Sequence, residues 1–398
     1  MRLGLLVAGG LGLPLAMFGM LAVHRLGGTK DLRSSEGWKR GLNGCRSVGD
    51  TAKTVDAGED FRFLSPNLVA VSSVRYVDFM TKGESLPGAI ALVDLATEDS
   101  RRVVLENFPK DKHLSPHGIE YFGPGKRLFI MNHLDDEERV EAFDVENPTS
   151  FGEAKLKWVG YATLPVARGA GNSVAAVSND EFYVTEWQPF GYPRGKFANI
   201  YNTNFKVAPY LLGNKVLGTA PFTDGLKSRM FRCLLSTGKC TVAYDKFVSA
   251  NGIAASPDGR YIFTVDCLLG DVYVFERSTD SGALKLVHSQ RMDYPIDNIV
   301  VLPGKDGKLN LHMGLIGFWD FVVEALSHDK RKIPGGFLLA EFDPSKPLAV
   351  MAVRRDVEVW HNGTIANGIA TAVQWPAKPN VVVMGGHAYG GGLVKCEV

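Results

Sequence analysis

Asn251-Gly252-Ile253-Ala254-Ala255-Ser256-Pro257-Asp258-Gly259-Arg260-Tyr261-Ile262-Phe263-Thr264-Val265-Asp266, followed after a short loop by Gly270-Asp271-Val272-Tyr273-Val274-Phe275-Glu276, reads as three β-strands in succession. A Ser-Pro-Asp-Gly turn separates the first two runs, and β-branched and aromatic residues fill all three. Strands joined by tight turns make a meander, the unit of a propeller blade. This unit begins at an asparagine standing before a short apolar pair. Similar starts occur at His117-Gly118-Ile119, Asn172-Ser173-Val174, Asn298-Ile299-Val300 and Asn367-Gly368-Ile369. With Glu59-Asp60 as the first, there are six markers, spaced at roughly 47 to 79 residues around a blade period of about 40 to 50. The chain therefore reads as an all-β, six-bladed β-propeller, with residues 45–398 as one domain. In a closed ring, a side chain recurring once per unit comes to the common axis.

Glu59, Asn172, Asn251, Asp297 and Asn298 supply two carboxylates and three amide carbonyls. A hard, oxygen-only set of this kind suits calcium, whereas zinc takes nitrogen or sulfur in a tetrahedron. An axial calcium with an open position would act as a Lewis acid on a carbonyl or phosphoryl oxygen. His117 occupies a marker position and His133 closes the following strand, a pairing suited to activating water near neutral pH. Asn367 and His387 either line this site or bond within blade loops.

The ends of the chain bear on compartment. Leu3 to Val23 carry no charged residue over about 21 positions, enough to cross a bilayer as a helix, and residues 1–26 read as an uncleaved signal-anchor, the alternative being a cleaved signal that leaves the protein secreted, with 27–44 as linker and helical turn. Arg25, Lys30 and Arg33 follow the apolar run, against the orientation that the positive-inside rule gives a lumenal domain. Asn362-Gly363-Thr364 is a glycosylation sequon. Cys45 precedes the first strand pattern and Cys396 ends the last, so a disulfide between them would close the ring, the alternative being two unrelated thiols. Cys233 and Cys240 either tie a hairpin or stay reduced, and Cys267 reads as a buried packing residue. A net charge of +1, from 44 Lys and Arg against 43 Asp and Glu, gives no electrostatic reason to expect nucleic acid as a partner. Tyr192 to Arg232 is mixed in period and reads as a long insertion over the scaffold.

Gly58-Glu59-Asp60, Ser115-Pro116-His117-Gly118-Ile119, Asn132-His133, Ala250-Asn251-Gly252-Ile253 with Ser256-Pro257-Asp258-Gly259, Ile296-Asp297-Asn298-Ile299, Asn362-Gly363-Thr364 and the Cys45/Cys396 pair together resemble the serum paraoxonase/arylesterase family. The resemblance runs from about Cys45 onward, and the apolar N-terminus fits that family's retained signal. It implies a six-bladed propeller with two calciums in its tunnel and hydrolysis of lactones and aryl esters, with promiscuous organophosphate hydrolysis in some members. It further implies a catalytic calcium on Glu59, Asn172, Asn251, Asp297 and Asn298, and His117 with His133 as the water-activating dyad. A structural calcium would sit on Asp60 and the Ile119 carbonyl, and Tyr76 would lie in a mobile active-site loop.

The chain departs from that pattern in places. Ser173 stands where the family has an aspartate on the structural calcium, so that ion should bind weakly, through water, or not at all. Glu186-Trp187 replaces an Asn-Asp pair, and Glu186 is a candidate partner for the dyad. Leu315-Ile316 replaces a cysteine and its neighbouring histidine. The expectation is a membrane-anchored lumenal or extracellular calcium-dependent hydrolase of lactones or carboxylic esters. Its rivals are a calcium-stabilised binding propeller without catalysis, and a lyase or isomerase on the same scaffold.

Overall fold

The computed structural model describes residues 29–40, 44–74, 85–189, 227–317, 320, 332–365, 367–386 and 392–398. After β1 (Cys45–Ser47), β2 (Gly58–Phe63), β3 (Leu68–Ser73), β4 (Ala89–Asp94) and β5 (Ser100–Arg102) form an antiparallel meander. The short β6 (Leu105–Glu106) leads to a second, β7 (Pro116–Phe122), β8 (Arg127–His133), β9 (Glu138–Glu146) and β10 (Lys155–Leu164). The next runs through β11 (Gly171–Ala176), β12 (Glu181–Glu186), β13 (Ser228–Leu234) and β14 (Lys239–Phe247), linked to β10 by a single parallel bridge. The opening stretch of sequence folds as expected into β15 (Ala250–Ala255), β16 (Tyr261–Asp266) and β17 (Asp271–Arg277), with β18 (Leu284–Arg291) outermost. Then come β19 (Ile296–Pro303), β20 (Leu309–Ile316) and β21 (Gly335–Phe342), whose outer edge takes both β22 (Ala352–Val353) and β23 (Val359–His361). Last are β24 (Ile369–Trp375), β25 (Lys378–Gly386) and β26 (Val394–Glu397), with β1 as fourth strand.

The first strand of each meander lies beside the first strand of the next: β2 by β7, β7 by β11, β11 by β15, β15 by β19, β19 by β24, and β24 by β2 again. That closed circuit makes the fold a β-propeller. Apolar faces of successive meanders supply the core. Val71 and Val93 pack with Val373 and Val383, and Tyr261 and Phe263 both meet Phe342 edge-on at 5.2 Å between ring centroids. Closure joins the two chain ends, since β1 pairs with β26 in the register Cys45↔Cys396 and these cysteines are disulfide-bonded. Cys233 and Cys240 face each other across the β13–β14 hairpin and are also bonded, while Cys267 is buried and reduced.

Two boundaries differ from those read in sequence. Ser228 to Leu234 is not part of the insertion but the strand β13, hidden in the pattern by the arginines that alternate with its buried residues Met230, Phe231 and Cys233. The segment 29–40 is docked rather than a free linker: Leu32 is buried in the cluster containing Tyr294 and Trp360, and Lys30 pairs with Asp293 at 2.8 Å. The candidate anchor Leu3 to Val23, the loop residue Tyr76, His387 and the insertion up to residue 226 lie outside the described residues. Among the described residues no helix is long and apolar enough to cross a membrane.

Candidate active site

Every inner strand breaks its ladder at the same level. Register shifts fall between Gly58 and Phe61 in β2, Pro116 and Ile119 in β7, Gly171 and Val174 in β11, Ala250 and Ile253 in β15, Ile296 and Ile299 in β19, and Ile369 and Thr371 in β24. The residues inside these bulges are Glu59-Asp60, His117-Gly118, Asn172-Ser173, Asn251-Gly252, Asp297-Asn298 and Ala370. A bulge releases its residues from cross-strand pairing and re-aims them, which is how the fold delivers polar groups to the axis. Glycine after the polar residue lets neighbouring strands approach. A Cβ on Gly252 would stand 2.6 Å from the Asn298 Cα, and one on Gly118 would stand 2.4 Å from the Asn172 carbonyl oxygen.

The polar groups connect around and across the ring. Asn298 donates its side-chain amide to Glu59 Oε1 at 2.8 Å, and the same oxygen lies 3.4 Å from His117 Nε2. Asn298 spans to β2 past β24, whose bulge carries only the methyl of Ala370. Asp297 is entirely buried; burial and then the charge of Glu59 push its carboxyl up to about 8, while a hydrogen bond from Asn251 pulls the other way. The side-chain carbonyl oxygens of Asn172, Asn251 and Asn298 are buried and accept no hydrogen bond. Such an acceptor costs about 1–3 kcal/mol when left without a partner, so three on one axial cluster fit a hard cation well. Among the described residues no group of three or more His, Cys, Asp or Glu is poised to hold a metal. The oxygen set is weighted toward amides, with Glu59 and Asp297 as its carboxylates.

Both predicted histidines meet. His133 Nε2 is 2.9 Å from His117 Nδ1, and both rings are buried. Behind them stands a residue that sequence reading missed. Glu138 opens β9 directly across from His133, with its Oε2 2.7 Å from His133 Nδ1. Glu138 also accepts the Gly169 and Gly171 amides at 2.7 and 3.3 Å. A carboxylate used wholly as acceptor assigns the His133 proton to Nδ1; His133 Nε2 then accepts from His117 Nδ1–H, and the unprotonated nitrogen of the pair is His117 Nε2, facing the axial cluster. Burial would lower His117, but the charge and hydrogen bond of Glu59, with Asp297, outweigh it and raise its pKa; burial lowers His133 against the pull of Glu138. The signal for Glu138 was its spacing of five from a strand-ending histidine across a short acidic turn.

The remaining candidates fall elsewhere. Glu186 is buried with both oxygens on the Arg229 guanidinium, at 2.6 and 2.8 Å, so the carboxylate partner of the dyad is Glu138 rather than Glu186. Asn367 precedes β24 and its side-chain oxygen accepts the Ile333 amide at 2.5 Å, which is loop bonding. Asn362 forms a local turn with Thr364 at 2.7 Å. Asp60 accepts the backbone N–H of Ile119 at 2.9 Å.

Fold and site together define a propeller that carries a histidine pair over an axial cluster of oxygen donors. By sequence the chain resembles the serum paraoxonases/arylesterases. It is 28% identical over 313 residues to human serum paraoxonase/arylesterase 2, covering 76% of this chain and 77% of that protein. It is 27% identical over 260 residues to human serum paraoxonase/arylesterase 1, covering 63% of this chain and 65% of that one. Serum paraoxonase/lactonase 3 of Oryctolagus cuniculus matches at 26% over 257 residues, or 62% and 64% of the two chains. Among solved structures, a gluconolactonase from Xanthomonas campestris aligns at 13% identity and a TM-score of 0.45, over 89% of this chain and 90% of that one. No family model matches the chain.

Proposed function

We propose that the protein is a calcium-dependent hydrolase of lactones or aryl carboxylic esters, built as a six-bladed propeller. The observation that carries this reading is the stack Glu138–His133–His117 ending on a cluster with three buried amide oxygens that accept no hydrogen bond. The names of its relatives, paraoxonase, arylesterase and lactonase, support the same reaction class. Glu59, Asn172, Asn251, Asp297 and Asn298 would hold the ion. Bound there, calcium would supply a Lewis acid for the substrate carbonyl oxygen.

The chain's own residues supply the proton chemistry. His117 Nε2 takes the proton from the attacking water, leaving an imidazolium whose Nδ1–H stays hydrogen-bonded to His133. Glu138 holds His133 in the tautomer that accepts this bond and stabilises the positive charge through it. The amide nitrogens of Asn172 and Asn251 help fix the tetrahedral oxyanion, and the His117 proton then passes to the leaving alkoxide, so the cycle is proton-neutral and a proton is released only when the acid product ionises. Two disulfides support an oxidising compartment, consistent with a lumenal or extracellular domain, held at the membrane through its N-terminal segment.

The direct assay is hydrolysis of phenyl acetate and a series of γ- and δ-lactones by the purified chain. Saturable turnover of at least one is expected; folded, calcium-loaded protein inactive on the whole series would refute the reading. Glu138→Gln tests the relay separately. A glutamine amide would donate to His133 Nδ1 and reverse the tautomer, so kcat should fall about 100-fold with calcium binding unchanged. Near-normal kcat in that variant, with an unaltered pH profile, would remove Glu138 from the relay.

A further inference from the structure

Immediately beyond the axial cluster, one residue on from Glu59, the chemistry changes. Asp60 is fully buried, and its carboxylate accepts four hydrogen bonds. Oδ1 accepts the Phe61 amide at 2.9 Å, the Thr371 hydroxyl at 2.8 Å and the Arg62 guanidinium, while Oδ2 accepts the Ile119 amide at 2.9 Å. Arg62 is itself buried, its side chain only 6% exposed. It bonds the Phe61 carbonyl at 2.9 Å and Glu120 Oε2 at 2.7 Å.

Arg62 lies two residues further along its inner strand than Asp60 and lines a cavity of about 260 Å³ with Glu120, Phe122, Ser256 and Leu302. Those residues lie at the later positions of their inner strands or, for Ser256, just past the end of one, so the cavity is the mouth of the axis toward which the inner strands run. Burying a guanidinium here is favourable only because two carboxylates face it.

The geometry points to Arg62 as a built-in cation: it neutralises Asp60 and Glu120 on the axis, and the chain binds a single calcium, at the cluster around Glu59. This rests on the calcium reading above but concerns the second position, where the family resemblance implied an ion on Asp60 and Ile119. Two features disagree with a metal there. Asp60 already accepts four hydrogen bonds, one of them from a buried guanidinium, and Ser173 contributes no charge. A fixed guanidinium cannot be stripped by a chelator, so this half of the axis stays assembled when calcium is removed.

The test is calcium stoichiometry by calorimetric titration of the full chain, with metal analysis of the same sample after gel filtration. One calcium per chain is the expected result. Two would overturn the role of Arg62 while leaving the catalytic calcium intact, whereas none would overturn the calcium reading and the one-ion count together. Arg62→Gln, which frees Asp60 and Glu120 from their cation, is expected to take up a second, weaker equivalent and to gain more in Tm on calcium addition than the parent chain does. A folded Arg62→Gln protein that still binds one calcium with the parent's Tm response contradicts the substitution of guanidinium for metal. If that variant does not fold, the stoichiometry of the parent chain decides alone.

Discussion

His117→Gln is expected to lower kcat on a lactone or aryl ester by about 100- to 10,000-fold, the range a positioned general base contributes. His117 is the bulge residue of β7, and its Nε2 faces the oxygen cluster 3.4 Å from Glu59. Glutamine can occupy the space and donate a hydrogen bond, but it cannot accept a proton at neutral pH. Calcium binding should be nearly unchanged, because a hard cation recruits oxygen rather than imidazole nitrogen. Parallel measurement of kcat and calcium affinity separates the roles: a variant that loses calcium would make His117 a ligand or a support of the site. Retention of full turnover would mean that water is activated elsewhere.

Reducing the closure is expected to have the largest effect on stability. Cys45 and Cys396 lie 351 residues apart in sequence and join the first strand to the last in one sheet. Cross-linking ends so distant restricts the unfolded chain, an effect of about 6 kcal/mol in the chain-entropy model. For an unfolding entropy proportional to about 350 residues, that corresponds to a Tm lower by about 8 °C. Cys45→Ser should show this shift by calorimetry, and Cys233→Ser should show a smaller one because its loop is only a hairpin. Equal shifts for the two would place the gain in local packing rather than in ring closure.

Much of this architecture is legible in sequence, and the bulges explain why. A residue released from the ladder toward a polar axis cannot be apolar, so each interrupts a strand pattern with a single polar side chain before the apolar run resumes. Asn251-Gly252-Ile253 and His117-Gly118-Ile119 are read correctly as strand starts for that reason, and glycine follows because the adjacent inner strand passes within contact of its Cα. Asn367-Gly368-Ile369 has the same letters but another place. The β24 bulge falls at Ala370, so Asn367 sits in the preceding loop and serves Ile333. Composition cannot report a three-residue offset that only strand pairing defines.

Glu138 and Arg62 were hidden for a different reason. Asp135-Asp136-Glu137-Glu138 reads as a solvated acidic turn, and only the hairpin register His133↔Glu138 shows that its last carboxylate is buried beneath an imidazole. Arg62 alternates with Phe61 and Phe63 as an outward-facing residue would, yet both faces of an inner strand are enclosed, one by the neighbouring blade and one by the axis. Charges on such strands are buried by topology: of the partners of Arg62, Asp60 lies two residues back on β2, while Glu120 comes from β7, a strand distant in sequence. The disulfide partners Cys233 and Cys240 were an open choice in sequence; the antiparallel register of β13 and β14 decides it.

The most direct test of the central claim is lactone or phenyl acetate turnover followed through chelation and calcium back-titration, with calcium binding measured on the same samples. The expected result is loss of turnover on chelation and its return with the same midpoint as the binding of one calcium per chain. Turnover that persists in calcium-free, folded protein, or that fails to return when calcium has rebound, would contradict the assignment of the Glu59 cluster as the metal centre of a hydrolase.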